Sequence, residues 1–571
     1  MKQLRLSSFL LLAFAGWISA AEKTPQETKI YWGDEVPANW NGEWPEHLQT
    51  VPEQSKYTRT TSTYEAHEFI DVLKWNSENL HVVNMFTSTL RKVSSAVVLA
   101  NPRVTSPEEA KASGKPVIYL QGTIHPPESE GKEALLMLMR DILFGDKKHL
   151  LDDQILIICP VFNVDGNDTW STKQGTPHII GTRRNALDYD LNRDAIKLQT
   201  IEVNGLYENI FNKWDPVLAF DAHAMGRVKH GYSIVYATST VTAAHPGPRS
   251  YVFDTIFPAI REKIRENFHL ETFTHCMYDE ENWPPTVWSH EKAYWTTEGK
   301  FLTAAYALRN RMSILVETPG HPSFERKIYA QYALITELLE YTNKHGREMA
   351  EICKAADKDV VEQVSTMAES GQLTNFVEGT YESWGKVDLL AYAENEPEYI
   401  PGTSVQRTVP ASASGPPELI HDVEHLTKPV GTKEAMMPRW YLIPAELESL
   451  VEKLRRQNIA VEVLEKALVV SGEQFVVDKL FKVQSGGYAM TKLEGGFCAT
   501  ERKEFAAGTY RVDMAQPLAN LAFYSLEPQI GDGFVGWGLL DEYLKSIGVE
   551  QRSVVYPIFK GLKASEGPET E

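Results

Sequence analysis

The sequence predicts an α/β domain in which helices cover both faces of a sheet. Short apolar runs recur between about residues 62 and 360: Val97–Leu99, Val117–Gln121, Gln154–Phe162, Pro216–Ala222, Ser233–Tyr236 and Met312–Val316. Helical patterns separate them, around 64–76, 131–143, 195–212, 250–267 and 325–342. Apolar strands that alternate with amphipathic helices are buried on both faces. The composition permits such a core, since 43% of the 571 residues are apolar.

The flanking segments read differently. The chain opens MKQLRLSSFLLLAFAGWISAAEK, with Lys2 and Arg5, an apolar stretch from Leu10 to Ile18, and small residues at Ser19-Ala20-Ala21. That is the pattern of a signal peptide over 1–21 and predicts a secreted or periplasmic protein. The stretch is too short to span a bilayer, and no other stretch is long and apolar enough, so no membrane span is expected after cleavage. Residues 22–61 form a polar N-terminal extension rich in Pro and Trp, and 62–360 the α/β domain. A connecting segment and linker follow over 361–430, including EPEYIPGTSVQRTVPASASGPPELIH at 396–421. Residues 431–571 read as a smaller β-rich domain, with a helix at Ala445–Leu454 after Pro444 and alternating segments near 459–463 and 510–514.

Charge and cysteines exclude some functions. A formal net charge of -20 argues against nucleic acid or an anionic membrane as partner, because both need clustered Lys and Arg. The cysteines, Cys159, Cys276, Cys353 and Cys498, are far apart with no C-x-x-C, which speaks against a cysteine zinc site. Cys159 lies in an apolar run and reads as a small buried hydrophobe. Gly531-Asp-Gly533-Phe-Val-Gly536 matches a dinucleotide-binding pattern, but too little chain follows it for a complete unit, and it reads as a turn. No G-x-S-x-G or H-E-x-x-H occurs.

The chemistry gathers at strand ends. His125 and Glu128 follow the run at 117–121, and Asn163, Asp165 and Gly166 follow the run at 154–162. Asp221 and His223 follow Phe220, and Glu317 follows Val316. In open α/β sheets the site lies at the carboxyl ends of the strands. One histidine after a strand is a weak signal, but here four strand ends agree. Two imidazoles and a carboxylate with an open position suit a zinc ion, so His125, Glu128 and His223 are candidate ligands and zinc the candidate cofactor. Glu317 would remain as a carboxylate beside the metal, able to take a proton from water. The segment GTRRNALDYDLNRD, 181–194, adds Arg183, Arg184, Asn192 and Arg193, which can polarise a carbonyl or grip a carboxylate.

In this order the motifs resemble the zinc metallocarboxypeptidases of the carboxypeptidase A type. GTIHPPE matches the H-x-x-E pair, PVFNVDG a loop, RRNALDYDLNR the arginine and Asn-Arg segment, FDAH the last ligand and ILVE the catalytic glutamate. The resemblance covers about residues 62–345. It implies a mixed eight-stranded sheet between helices and zinc held by His125, Glu128 and His223. It makes Glu317 the general base and Arg183 the residue that polarises the carbonyl, with Arg184 the alternative. Asn192 and Arg193 would bind the terminal carboxylate. The C-terminal part is similar, more weakly, to modules trailing some bacterial secreted members.

The chain departs from the family pattern in two places. The tyrosine that closes over substrate has no certain counterpart, with Tyr294 and Tyr306 the candidates. AMGRVKHG after His223 is unusual, and Arg227, Lys229 and His230 either shape the pocket or form a basic loop. The resemblance implies an exopeptidase acting on peptides. Two other readings compete with it: a zinc amidase on murein peptides or deacylase of amino acids, and a non-catalytic binding module that kept the fold.

Overall fold

The computed structural model describes residues 29–169, 181–226, 228–278, 283–290, 298–393, 398–399, 406–407, 415–485 and 487–564. The signal-peptide segment, Tyr294, Arg227 and most of 394–414 lie outside the described residues.

Eight strands form the main sheet: β1 (Leu80–Thr87), β2 (Val93–Leu99), β3 (Val117–Gln121), β4 (Ile155–Cys159), β5 (Leu218–Ala224), β6 (Ile234–Ala237), β7 (Thr272–Thr274) and β8 (Met312–Thr318). Their spatial order is β1-β2-β4-β3-β5-β8-β6-β7. Strands β4, β3, β5 and β8 run parallel, and antiparallel pairs join β2 to β4 and β6 to β8. The expected mixed α/β sheet is therefore present. Strands β1 and β7 lack the continuous apolar run of the central strands: β1 is mostly half-exposed and β7 has three residues.

Alternation along β5 explains how both faces are covered. Even positions face the helix α1 (Glu130–Phe144), where Gly131 meets Ala222. Odd positions face the other way, like Tyr119 on β3, which lies against Phe211, itself packed on Tyr306. The final helix of this domain, α2 (Phe324–Met367), packs on the α1 side and extends far beyond the expected 325–342. Its buried positions continue through Met349, Cys353, Ala356, Val360 and Val364, so the apolar stripe outlasts the sheet.

Within 361–430, strands Thr374–Glu382, Lys386–Ala391 and Glu418–Leu426 form, and the first pairs with Lys428–Met436. The β-rich C-terminal part holds a seven-stranded sheet whose longest members are the hairpin strands Leu468–Ser485 and Tyr488–Phe505. Its helix α3 (Glu448–Arg456) buries Leu450, Val451 and Leu454 in a core continuous with that of the main sheet. Lys453 Nζ donates to the carbonyls of Lys197 (2.6 Å) and Leu198 (3.2 Å), and Gln457 Nε2 to that of Ile196 (3.1 Å). The four cysteines are free. Among the described residues no helix is long and apolar enough to cross a membrane.

Gly131 is required by contact, because a Cβ there would lie 2.2 Å from Ala222 Cβ. Helix propensity favours alanine by about 1 kcal/mol, but overpacking of this kind costs about 1–3 kcal/mol. Gly131→Ala is therefore expected to lower the urea midpoint. An unchanged or raised midpoint would show that the strand and helix can separate at no cost.

Candidate active site

The turn after β3 is fixed before any functional side chain is placed. Gly122 N–H donates to Cys159 O and Phe162 N–H to Gly122 O, so the chain stays stitched to β4 past the strand end. Thr123 has φ +52°, a region where a β-branched residue is strained, and such strain costs about 1–3 kcal/mol. Its hydroxyl donates to Pro160 O and its carbonyl accepts from Asn163 N–H, which holds it there. His125 and Glu128 then share one turn, closed by Glu128 N–H to His125 O at 2.9 Å. His223 lies near the end of β5, and Glu317 pairs with it in register on β8, so both point to the face opposite α1.

These side chains converge. His125 Nδ1 lies 3.1 Å from Glu128 Oε1, and His223 Nδ1 lies 2.8 Å from Glu128 Oε2. One donor atom from each of the three lies within 4.8 Å of the other two. The far nitrogens are tethered: His125 Nε2 faces Asp190 Oδ1 at 2.9 Å, and His223 Nε2 faces Asp221 Oδ2 at 2.9 Å. Each Nε2 is thus anchored on an aspartate and keeps its proton there, while Nδ1 of each ring faces Glu128 and would ligate a cation that displaced its proton. Asp221 is held in turn, since Tyr119 Oη donates to Gln121 Oε1 and Gln121 Nε2 to Asp221 Oδ1.

The electrostatics call for a cation. Burial opposes ionisation of Glu128, but the two imidazoles outweigh it and hold the carboxyl well below the usual range. Burial, and then the Glu128 carboxylate, push Glu317 up to about 8, with His223 and Arg183 acting the other way. Glu128, Asp190, Asp221 and Glu317 thus place four carboxyl groups around two imidazoles. Two Nδ1 atoms and a carboxylate oxygen grouped together, with each ring fixed from behind, fit a divalent metal of the zinc type that would take the place of the Nδ1 protons.

A cavity of about 420 Å³ opens on this cluster, lined by His125, Glu128, Arg183, Asn192, Arg193, His223 and Glu317, among others. Arg183 is half-exposed and bonds Glu128 Oε1 (2.9 Å) and Asp190 Oδ2 (3.1 Å). Arg184, the alternative, turns outward to Asp188 and does not line the cavity. Asn192 is buried; its Oδ1 accepts from Leu302 N–H (2.9 Å) and its Nδ2 lies 3.4 Å from His223 Nε2. Arg193 donates to Asn192 O (2.7 Å) and stacks on Phe301 at 4.5 Å, with no carboxylate in ion-pair range among the described residues.

Other sequence candidates fall away from the cavity. Tyr306 is a core residue, its hydroxyl donating to Pro216 O. His230 is buried against Met225, and burial lowers it to about 3. The motif reading assigned no role to Asp190 or Asp221, nor to the lining residues His275, His290, Glu298, Lys300 and Phe301. Asp221 alone had a usable signal: on a strand it shares a face with His223, two residues on.

Residues 68–223 match the family model described as zinc carboxypeptidase. Carboxypeptidase 2 of Trichophyton tonsurans is 23% identical over 474 residues, 79% of this chain and 78% of that protein. Carboxypeptidase 2 of Trichophyton rubrum is 23% identical over 458 residues, 76% of each. The metallo-carboxypeptidase of Burkholderia cenocepacia superposes with a TM-score of 0.36 and 17% identity, over 50% of this chain and 70% of that one. The matched segment runs from the helix before β1 to His223, and so takes in His125, Glu128 and the 181–194 segment as well. By that match and those relatives, the chain is similar to zinc carboxypeptidases, most clearly over residues 68–223.

Proposed function

We propose that this protein is an exported, zinc-dependent exopeptidase that removes C-terminal residues from peptides, with zinc held by His125, Glu128 and His223. The observation that carries the reading is that their donor atoms meet in the cavity that also exposes Glu317 and Arg193. Export rests on the signal-peptide pattern of residues 1–21.

When bound, zinc supplies Lewis acidity, polarising a carbonyl and making water a stronger acid. The chain supplies the rest. Glu317, whose Oε2 is buried without a hydrogen-bond partner among the described residues, takes a proton from the attacking water and passes it to the leaving nitrogen. Arg183, beside Glu128, stabilises the carbonyl oxygen as negative charge develops. Arg193 grips the terminal carboxylate through its guanidinium fork. Asn192 has less to give than its position suggests: its carbonyl oxygen is committed to Leu302, so one side of the amide remains for substrate.

His223→Ala should lose most of its zinc on metal analysis, and full retention would move the metal elsewhere. Glu317→Gln should keep its zinc while kcat drops by about 10²–10⁴-fold, the usual worth of general-base catalysis. A kcat within about threefold of wild type would assign the base to another group.

Arg193→Ala tests the carboxylate grip. A charge-assisted hydrogen bond is worth about 1.5–3 kcal/mol. At about 1.4 kcal/mol per tenfold, kcat/KM on free-carboxylate peptides should fall about 10- to 150-fold. C-terminally amidated peptides should be poor substrates for wild type and much less sensitive to the substitution. Equal cleavage of amidated and free peptides by wild type would refute exopeptidase action, and preference for a C-terminal D-residue would point to murein peptides.

A further inference from the structure

We propose that the C-terminal domain is a working part of the active site, with Tyr524 and Asp532 as positioning residues that hold residues 298–301 against the cavity. The proposal rests on the exopeptidase reading for its kinetic consequence, though not for its geometry.

Residues 298–301 carry Glu298, Lys300 and Phe301 into the cavity wall, yet they belong to no strand or helix. Their backbone groups must therefore be satisfied by other means. Gly299 N–H donates to Tyr524 Oη at 2.6 Å, and Lys300 N–H donates to Asp532 Oδ2 at 2.6 Å. Lys300 O in turn accepts from Ala195 N–H at 3.3 Å, and Asn192 Oδ1 accepts from the Leu302 amide just past the segment. The segment is thus clamped between the C-terminal domain and the chain that carries Asn192 and Arg193.

The fit is close. A Cβ on Gly299 would lie 2.6 Å from the Tyr524 ring. Tyr524 and Asp532 are 1% and 5% exposed, so neither hydrogen bond is a surface accident. Asp532 sits in the Gly531–Gly536 turn, tight enough that a Cβ on Gly536 would meet Gly531 O at 2.0 Å. The clamped segment presents the Phe301 ring on which the Arg193 guanidinium stacks. It also presents the buried Lys300–Glu298 pair, 2.5 Å apart. A second contact joins the C-terminal domain to the chain just after Arg193, where the Lys197 ammonium lies 4.3 Å from the Trp537 ring. Removing the Asp532 or Tyr524 bond should therefore let Phe301 shift and Arg193 lose its support, while the candidate ligands on β3 and β5 stay in place.

The test uses the full-length zinc-loaded enzyme with Asp532→Ala, Asp532→Asn and Tyr524→Phe. The control is Val470→Ala, which lies in a separate apolar cluster of the C-terminal sheet. Amide exchange over 298–301 should quicken about tenfold or more in Asp532→Ala and Tyr524→Phe. KM for free-carboxylate peptides should rise about tenfold, because small misplacements of binding groups are costly. Zinc content should be unchanged and kcat should stay within about threefold. Asp532→Asn, which keeps an acceptor oxygen, should restore both exchange and KM. The proposal is overturned if Asp532→Ala and Tyr524→Phe match Val470→Ala in exchange and KM at equal loss of Tm. Tyr524→Phe carries the test alone if Asp532→Ala does not fold. Exchange is read without substrate, so a wild type that cleaves no peptide would sink the exopeptidase reading and leave this one to be judged.

Discussion

Everything in this site depends on three parallel strands lying side by side in register. β3, β5 and β8 are neighbours, and Gln121 pairs with Asp221 while His223 pairs with Glu317. A slip of one residue would turn His223 and Asp221 to the face packed by α1, where Gly131 already touches Ala222. The apolar burial that fixes the register of the sheet therefore also fixes the geometry of the chemistry. The strained Thr123 turn and the i, i+3 spacing of His125 and Glu128 only have to complete a site that the sheet has already aligned.

The local electrostatics follow from that alignment. Four carboxyl groups around two imidazoles would be costly to bury without positive charge. The groups divide by environment. Glu128 lies between the rings and is held ionised, whereas Glu317, beside Glu128, is pushed up toward neutrality. Two carboxyls whose surroundings push them apart in this way suit different roles, one as ligand and one as proton carrier. Asp190 and Asp221 orient the rings from behind, and Asp190 also meets Arg183, so a single side chain joins one candidate ligand to the candidate oxyanion group.

The central strands and the candidate site residues at their ends were legible because continuous apolar runs there stop abruptly at polar side chains. The edge strands were not, because β1 is half-exposed and β7 is short. His125, Glu128, His223 and Glu317 do come together, as do Arg183, Asn192 and Arg193 at the cavity wall. Arg184 shows the limit of reading a loop: two adjacent arginines point opposite ways, and only packing decides which faces in. The roles of Asp190, Tyr524 and Asp532 could not be read at all. Their partners are 65, 225 and 232 residues away, and no local period encodes such distances. The G-x-G-x-x-G match is a turn, as its position near the C-terminus suggested, but its aspartate holds the wall of the cavity.

The central claim is that the aspartates behind the imidazoles present Nδ1 of both rings, with Glu128, to one metal. The most direct measurement is a crystal structure of the protein grown with zinc. The account predicts one ion bound through His125 Nδ1, His223 Nδ1 and a Glu128 oxygen, at about 2.0–2.2 Å, with both Nε2 atoms still on Asp190 and Asp221. Zinc bound through either Nε2, or at a site lacking one of these three residues, would contradict it.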